Sequence, residues 1–358
     1  MTKICIIGGG NIGTLLAAEF AAKDYAVCVY TSQFSIWNGT LQVFSPEEDL
    51  VLNASGIEAT DNLSYAVSNA QQIWVTLPSF MFPKIAEELY PIVSPGQIIF
   101  CSPGAGAEFY FRPMIEKGCT LCGLQRVHSI SRLKERGKSV YMLGRKDQVY
   151  VAVIPKHNGA LCCGLVTQQL NMPCFLLENY LAITLTPSNP ILHTARLYSM
   201  FIDFSPGVVY DHNILFYEEW SDFSSDILLK CDAELQTICR ALPELDLHSV
   251  KSLKEHYESN TVSQMTKKIR NIKAFKGILS PMSETPNGWV PDFNDRYFVA
   301  DFAFGLKIIR DIARVLRILS PSLDAVWNWY RSISNSKPDQ CFKIQLTTKD
   351  ELINFYTQ

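Results

Sequence analysis

A glycine-rich segment near the beginning of the chain has the pattern that binds the pyrophosphate of a dinucleotide. It reads Gly8-Gly-Gly10-Asn-Ile-Gly13 and separates an apolar run from a Leu- and Ala-rich helical segment. The first glycine permits a tight turn, the second lets the backbone approach a pyrophosphate, and the third lets helix pack closely on strand. The helix N-terminus then faces the phosphates with unpaired N–H groups. We therefore predict cofactor contacts from Gly8, Gly10, Asn11, Ile12 and Gly13.

The segment after the second predicted strand bears on the choice of dinucleotide. An NAD site usually places Asp or Glu there, to accept hydrogen bonds from the adenosine ribose. Here the strand is followed by Thr31, Ser32 and Gln33, so no carboxylate repels a 2′-phosphate and two hydroxyls can donate to it. The segment contains no Arg or Lys, so the usual cationic partner comes from elsewhere or is missing. We expect NADP(H) to be favoured over NAD(H).

Two titratable residues in the second half of the chain are candidates for proton chemistry. His193 ends the segment Asn189-Pro-Ile-Leu-His, and an unperturbed histidine exchanges protons near neutral pH. Asp301 stands among aromatic residues, where a buried carboxylate needs a partner. That partner can be a histidine or a structural arginine. The residues alone therefore leave a purely structural role open for both side chains.

The elements that must position these residues follow from the apolar pattern. In the first half, short apolar runs alternate with helical segments, which predicts a parallel sheet with crossover helices. Strands are predicted at residues 3–7, 26–30, 72–77, 97–101, 140–143 and 149–154, and the first helix at 11–22. The last two strands flank a turn at residues 145–147. Beyond about residue 157 the strand signal fades, and helical spacing covers 214–242 and 298–319.

Length and composition limit the class of protein. A chain of 358 residues is expected to form about two domains. With 47% apolar and 19% charged residues, it is not a disordered chain. Its net charge of −3 is not the excess of positive charge that is typical of nucleic-acid-binding proteins. No secretion signal or long apolar span is found, so we expect a cytoplasmic protein without membrane contact. The eleven cysteines are expected to be reduced and structural, with no metal site.

Several segments together resemble the opine dehydrogenase family, which includes octopine dehydrogenase and N-(1-carboxyethyl)-norvaline dehydrogenase. The Asn-Pro-x-x-His and Arg-Tyr-x-x-x-Asp segments are specific to that family, and the resemblance covers nearly the whole chain. Besides the glycine pattern, the matching segments are Val75-Thr-Leu-Pro78-Ser79, Ser102-Pro-Gly104-Ala-Gly106, Asn179-Tyr-Leu181, Asn189-Pro-Ile-Leu-His193, Phe216-Tyr217, Pro291-Asp-Phe-Asn-Asp-Arg296-Tyr297, Asp301 and Gly305-Leu306.

The resemblance implies a fold and a reaction. It implies an α/β fold, with an N-terminal Rossmann-type doubly wound sheet (residues 1–180) followed by an all-α C-terminal domain (181–358) and a substrate cleft between them. The implied reaction is reductive condensation of an amino-acid amine with a 2-oxo acid, usually pyruvate, at the expense of NAD(P)H. The family's catalytic histidine and aspartate fall on His193 and Asp301, its oxo-acid-binding arginine falls on Arg296, and Pro78 joins the predicted cofactor contacts.

Alternatives remain open at this point. Arg296 and Asp301 can instead form a structural ion pair with each other. The chain can be a 2-oxo-acid reductase of the ketopantoate reductase type, or a non-catalytic NADP-binding sensor protein. The expected partners are small molecules, an amino acid and a 2-oxo acid. By analogy with the family, a homodimer through the helical domain is also expected. The sequence does not identify the amine.

Overall fold

The structure, a computed structural model, describes residues 1–186, 189–334 and 344–357. The chain forms two units, Met1–Thr184 and Leu185–Gln358. The strands of the first unit are β1 (Lys3–Ile7), β2 (Ala26–Tyr30), β3 (Thr40–Phe44), β4 (Leu50–Ser55), β5 (Glu58–Thr60), β6 (Gln72–Val75), β7 (Ile98–Cys101), β8 (Thr120–Leu124), β9 (Ser129–Glu135), β10 (Ser139–Arg145), β11 (Val149–Ile154) and β12 (Cys174–Leu176). Its helices are α1 (Asn11–Ala21), α2 (Leu63–Val67), α3 (Phe82–Leu89), α4 (Ala107–Glu116), α5 (Gly159–Leu170) and α6 (Leu181–Thr184).

An eight-stranded sheet forms the core of the first unit. Its order is β12-β11-β8-β7-β6-β1-β2-β5, and its strands pair in parallel except where β11 meets β8. The central strands β6 and β7 are buried on both faces, as expected for apolar runs between crossover helices. Across that pair the rings of Trp74 and Phe100 stack with centroids 4.4 Å apart. The predicted parallel α/β sheet is confirmed.

A second sheet, which the sequence analysis did not predict, packs on the other side of α1. Its order is β4-β3-β10-β9, and α1 contacts its four strands as well as β1 and β2. The strands predicted at 140–143 and 149–154 are present as β10 and β11, separated by residues 146–148, but they belong to different sheets. Strand β10 pairs with β3 and β9, whereas the almost fully buried β11 joins the large sheet beside β8.

The second unit is mainly helical. Its helices are α7 (Asn189–Phe201), α8 (Asp222–Arg240), α9 (Leu253–His256), α10 (Val262–Arg270), α11 (Arg296–Asp301), α12 (Lys307–Val315), α13 (Pro321–Ile333) and α14 (Lys349–Thr357). A π-helical turn, Phe302–Leu306, joins α11 to α12. The unit also contains an antiparallel hairpin of β13 (Met282–Thr285) and β14 (Gly288–Pro291). Within the described ranges every helix is too short or too polar to cross a membrane.

Part of one predicted helix is irregular. The apolar spacing predicts helix from residue 214, but α8 begins at Asp222, where the hydroxyl of Ser221 accepts a hydrogen bond from the N–H of Ser224. This N-cap satisfies one of the backbone donors that a helix leaves unpaired at its start. Residues 214–221 therefore form a separate turn before α8, and this turn contains a residue of the candidate site.

Candidate active site

The glycine-rich turn joins β1 to α1 at the carboxyl edge of the large sheet. A Cβ on Gly13 would lie 1.8 Å from the carbonyl oxygen of Gly8, so a larger residue would push α1 away from β1. No heavy atom lies within 4 Å of the position that a Cβ on Gly10 would take. Gly10 also caps α1 without any side-chain hydrogen bond, which leaves first-turn N–H groups for a ligand. These features fit the pyrophosphate of a dinucleotide.

The other predicted cofactor contacts are placed around this turn. The side chain of Asn11 accepts a hydrogen bond from the N–H of Leu133 in β9, at 2.9 Å, and so ties α1 to the second sheet. Ile12 packs against the apolar core of the unit. Pro78 is exposed and follows β6 directly before a short helical turn. The side chain of Asn11 is therefore engaged by β9, and its contribution to a phosphate site would come from its backbone.

The segment after β2 lies beside the glycine turn. The hydroxyl oxygen of Thr31 is 3.1 Å from the position that a Cβ on Gly9 would occupy. Ser32 and Gln33 are exposed, and the N–H of Gln33 donates to the Thr31 hydroxyl at 3.4 Å. The Thr31 hydroxyl thus borders the glycine turn.

In the second unit the structure brings His193 and Asp301 together. Nδ1 of His193 lies 2.8 Å from a carboxylate oxygen of Asp301, and Nε2 lies 2.9 Å from the hydroxyl of Tyr217. The side chains of His193 and Asp301 are 8% and 16% exposed. A carboxylate can only accept, so Nδ1 carries the proton and Nε2 accepts from Tyr217 when the ring is neutral. The ring is oriented on both edges.

Tyr217 is held in place by a buried arginine that the sequence analysis did not single out. Arg196, on α7 with His193, donates to the backbone carbonyls of Phe216 and Glu219, each at 2.9 Å. Burial lowers the pKa of Arg196 to about 10, so the guanidinium remains charged at neutral pH. The ring of Tyr217 also stacks on Phe275, with centroids 4.1 Å apart. The turn before α8 thus presents its tyrosine to the histidine.

Arg296 and Asp301 occupy the two ends of the short helix α11. Asp301 bonds His193, and no ion pair joins it to Arg296. Arg296 is exposed, and its guanidinium carbon lies 5.4 Å from the ring centroid of Tyr297. That ring in turn lies 4.5 Å, centroid to centroid, from the ring of His193. The Arg296–Asp301 pair of that alternative is therefore not formed, and one ring, that of Tyr297, lies between Arg296 and the histidine.

The sequence analysis missed the contributions of Tyr217, Tyr297 and Arg196. Tyr217 belongs to a segment that matches the family, but its spacing from His193 indicates no contact. Arg196 lies three residues after His193, on a neighbouring part of the same helix. Its complete burial is the signal that marks it, and burial is not visible in the sequence. In the ranges that the structure describes, no three His, Cys, Asp or Glu side chains form a group able to hold a metal ion.

Comparison with known proteins gives two family matches. Residues 176–334 match the family described as NAD/NADP octopine/nopaline dehydrogenase, alpha-helical domain. Residues 3–108 match the N-terminus of NAD-dependent glycerol-3-phosphate dehydrogenase. The first match includes the segments that carry His193 and Asp301, and the second includes the glycine turn.

Individual proteins are similar over nearly the whole chain. Tauropine dehydrogenase of Arabella iricolor is 25% identical over 367 residues, which cover 93% of this chain and 91% of that protein. A structure of octopine dehydrogenase with NADH and L-arginine has a TM-score of 0.80 at 22% identity, covering 99% of this chain and 94% of that one. A 2-dehydropantoate 2-reductase from Geobacter metallireducens has a TM-score of 0.63 at 14% identity, covering 93% and 100%. The fold is shared with both structures and matches the octopine enzyme more closely.

Proposed function

This chain belongs to the opine dehydrogenase family, and we propose that it is an NADP(H)-dependent opine dehydrogenase. In this proposal it joins the amine of an amino acid to a 2-oxo acid such as pyruvate. Enzymes of this family are NAD(P)-dependent oxidoreductases that act on CH–NH donors. The observation that carries the proposal is the buried histidine held between a carboxylate and a phenol, because such a group can both accept and deliver a proton.

The reaction needs proton transfer at a defined atom. The amine adds to the carbonyl carbon of the oxo acid, and the resulting hydroxyl leaves as water once it is protonated, which forms an imine. When bound, the nicotinamide dinucleotide supplies the hydride that reduces the imine carbon. The protein's remaining tasks are to position the two substrates and to move protons.

His193 is proposed as the general acid and base. Its Nε2 atom is the one that exchanges the proton, because Nδ1 is committed to Asp301 at 2.8 Å. Asp301 orients the imidazole and stabilises its protonated form, as the carboxylate does in other histidine dyads. Tyr217 holds Nε2 at 2.9 Å until substrate binds. It acts as a positioning residue.

Arg296 is proposed to bind the carboxylate of the 2-oxo acid. A guanidinium holds a planar carboxylate with two charge-assisted hydrogen bonds and so fixes the adjacent carbonyl. The exposure of Arg296 and its lack of an ion pair with Asp301 support this role. Residues 181–358 are proposed as the substrate and catalytic domain.

Residues 1–180 are proposed to bind the cofactor, through the turn at Gly8, Gly10 and Gly13. NADP(H) is proposed over NAD(H) because the segment at residues 31–33 carries hydroxyls and no carboxylate. Replacing Thr31 with Asp is then expected to shift the preference toward NADH. Titration of the purified protein with both reduced cofactors measures this, and a wild type that prefers NADH contradicts it. The free thiols of ten described cysteines fit the reducing cytoplasm, which we propose as its compartment.

Oxidation of NADPH with pyruvate, with and without a panel of amino acids, tests the function. We expect consumption only when an amine is present. His193→Asn should lower turnover by about 10²–10⁴-fold, because general acid–base catalysis contributes that much, with cofactor affinity unchanged. Consumption with pyruvate alone indicates a 2-oxo-acid reductase instead. Cofactor binding without turnover on any combination indicates a sensor protein.

A further inference from the structure

We propose that Arg136, in the turn between β9 and β10, is the cationic partner of the 2′-phosphate of NADP(H). The inference rests on the proposed dinucleotide-binding function. The segment Thr31–Gln33 offers hydroxyls to this phosphate but no positive charge. A dianionic phosphate needs a cation to offset its desolvation. The second sheet places such a cation, Arg136, close to this segment, although Arg136 lies more than a hundred residues further along the chain.

One indole ring connects the glycine turn with the turn that carries Arg136. Cζ2 of Trp37 lies 2.9 Å from the position that a Cβ on Gly9 would take. On the same ring, Cδ1 lies 3.2 Å from the corresponding position on Gly137. Thr31, whose side chain replaces the ribose-binding acid of NAD sites, also borders Gly9, at 3.1 Å. The β9–β10 turn therefore lies one indole ring away from the expected ribose site.

The backbone of this turn is held in a defined position. Gly137 is buried and has a φ of +71°, a conformation that favours glycine. A Cβ there would also come within 3.0 Å of Ile36. The carbonyl of Lys138 accepts a hydrogen bond from the N–H of Gln42 in β3, at 2.9 Å. Arg136 is thus presented from fixed backbone, and only its side chain must be ordered when a ligand binds.

The charges around the turn leave Arg136 available. Lys134 forms an ion pair with Glu48, and Lys138 forms one with Glu135. Arg136 is exposed and makes no hydrogen bond or ion pair with any residue that the structure describes. Its guanidinium matches the geometry of a phosphate, to which it can donate two parallel hydrogen bonds. The charge missing from Thr31–Gln33 is therefore supplied by a neighbouring element.

Two acids near the end of β2 define the competing arrangement. Asp61 directly follows β5, and Glu88 lies on α3. Together with partial burial, which is the larger cause, their charges raise the pKa of Tyr30. An adenosine ribose bound against these acids would donate its hydroxyls to them and would exclude a 2′-phosphate. That arrangement predicts a preference for NADH and no role for Arg136.

Binding measurements distinguish the arrangements without any turnover. The probes are NADPH and NADH, followed by fluorescence, and adenosine 2′,5′-bisphosphate and AMP, followed by calorimetry at low ionic strength. We expect Arg136→Gln to weaken binding of NADPH and of the bisphosphate by about 10- to 100-fold, the range for losing a charged hydrogen bond. Binding of NADH and AMP should stay the same. Arg132→Gln is the matched control, because Arg132 is equally exposed and, by strand alternation, on the face of β9 away from α1.

Each other outcome overturns the assignment in a recognisable way. If Arg136→Gln leaves the affinity for NADPH and the bisphosphate unchanged while the wild type prefers NADPH, Arg136 is not the partner and the cofactor proposal stands. If Arg132→Gln weakens binding as much as Arg136→Gln, the effect is general electrostatics. If the wild type prefers NADH, both the assignment and the NADP(H) preference fail. If it binds no dinucleotide, the proposed function itself fails.

Discussion

The hydroxyl of Tyr217 lies 2.9 Å from Nε2 of His193, on the ring edge opposite the one that bonds Asp301. When the ring is neutral, the phenol donates to Nε2; when it is protonated, Nε2–H donates to the phenol oxygen. The second hydrogen bond is the stronger one, because its donor is charged. Tyr217 therefore remains hydrogen-bonded to Nε2 in both protonation states and holds the ring in place while the proton moves.

Tyr217→Phe removes this hydroxyl and keeps the ring that stacks on Phe275. We expect kcat to fall by about 3- to 30-fold, the effect of one to two kcal/mol, with little change in the KM for pyruvate. Tyr198→Phe, on α7 but outside the site, should change neither kcat nor KM. An unchanged kcat would reduce Tyr217 to a packing residue.

Asp301→Asn is expected to have a larger effect in the same direction. The amide keeps the size of the side chain but removes the negative charge that stabilises protonated His193. Turnover should fall by about 10²–10⁴-fold, as in other histidine–carboxylate pairs. Steady-state kinetics at neutral pH measures this. Full activity in this variant contradicts the dyad.

The sequence predicts the first βαβ unit well, but of the second sheet it predicts only the strand at 140–143. The bounds of β1 and β2 match because each is a short apolar run, and the glycines mark the turn between them. Strand β10 shows only weak alternation, and nothing local indicates that it pairs with β3, nearly a hundred residues earlier. Pairing between distant segments depends on tertiary packing, which sequence periodicity does not contain.

In the candidate site, too, residue types can be recognised in the sequence, whereas contacts between distant residues cannot. Residue type makes His193 and Asp301 candidates, but 108 residues separate them, so only the family resemblance places them together before the fold is known. Tyr217 lies in a turn where the apolar spacing predicts a helix. Two of the backbone carbonyls there bond Arg196. The favourable contacts of that buried arginine outweigh the local helical tendency, and they form only in the folded unit.

Arg296→Lys tests the proposed contact with the oxo acid. Lysine keeps the positive charge but lacks the planar fork that holds a carboxylate on two atoms. We expect the KM for pyruvate to rise by about 10-fold or more, the cost of a charge-assisted hydrogen bond, with the melting temperature and NADPH affinity unchanged. Arg331→Lys, on α13, is the control. A variant that melts earlier but keeps its KM would show a structural role for Arg296.

Glu19→Gln tests a buried ion pair in the first unit. The Glu19 carboxylate lies 2.9 Å from Nε2 of His128 and also pairs with Arg145. Burial alone would raise the pKa of Glu19, but these two partners outweigh it and hold the pKa below its usual 4.5. The ionised carboxylate thus stabilises the fold above pH 4.5, and this contribution is lost as pH falls through the lowered pKa.

At pH 7 the Gln variant should therefore lose about 3 kcal/mol of unfolding free energy, the usual cost of breaking a buried pair. The difference from wild type should shrink as the pH falls below 4.5, through the lowered pKa of Glu19. Urea unfolding at several pH values measures it. Glu135→Gln, which breaks only the exposed pair with Lys138, should cost at most about 1 kcal/mol. Equal stability of Glu19→Gln and wild type at pH 7 would contradict the expectation.

Gly305→Ala tests how the π-helical turn after Asp301 fixes the position of the histidine. A Cβ on Gly305 would lie 2.8 Å from Cγ of Pro190, at the start of the helix that carries His193. Proline cannot rotate away, so α7 must shift by a few tenths of an ångström relative to Asp301. A shift of about 1 Å at a catalytic group can lower the rate 10²-fold, so we expect kcat to fall by about 10-fold while NADPH affinity is unchanged.

The control is Gly164→Ala, in a helix with open space around it. This variant should leave kcat unchanged and raise the melting temperature, since alanine favours helix by about 1 kcal/mol. If Gly305→Ala keeps full activity, the contact with Pro190 does not set the distance between His193 and Asp301.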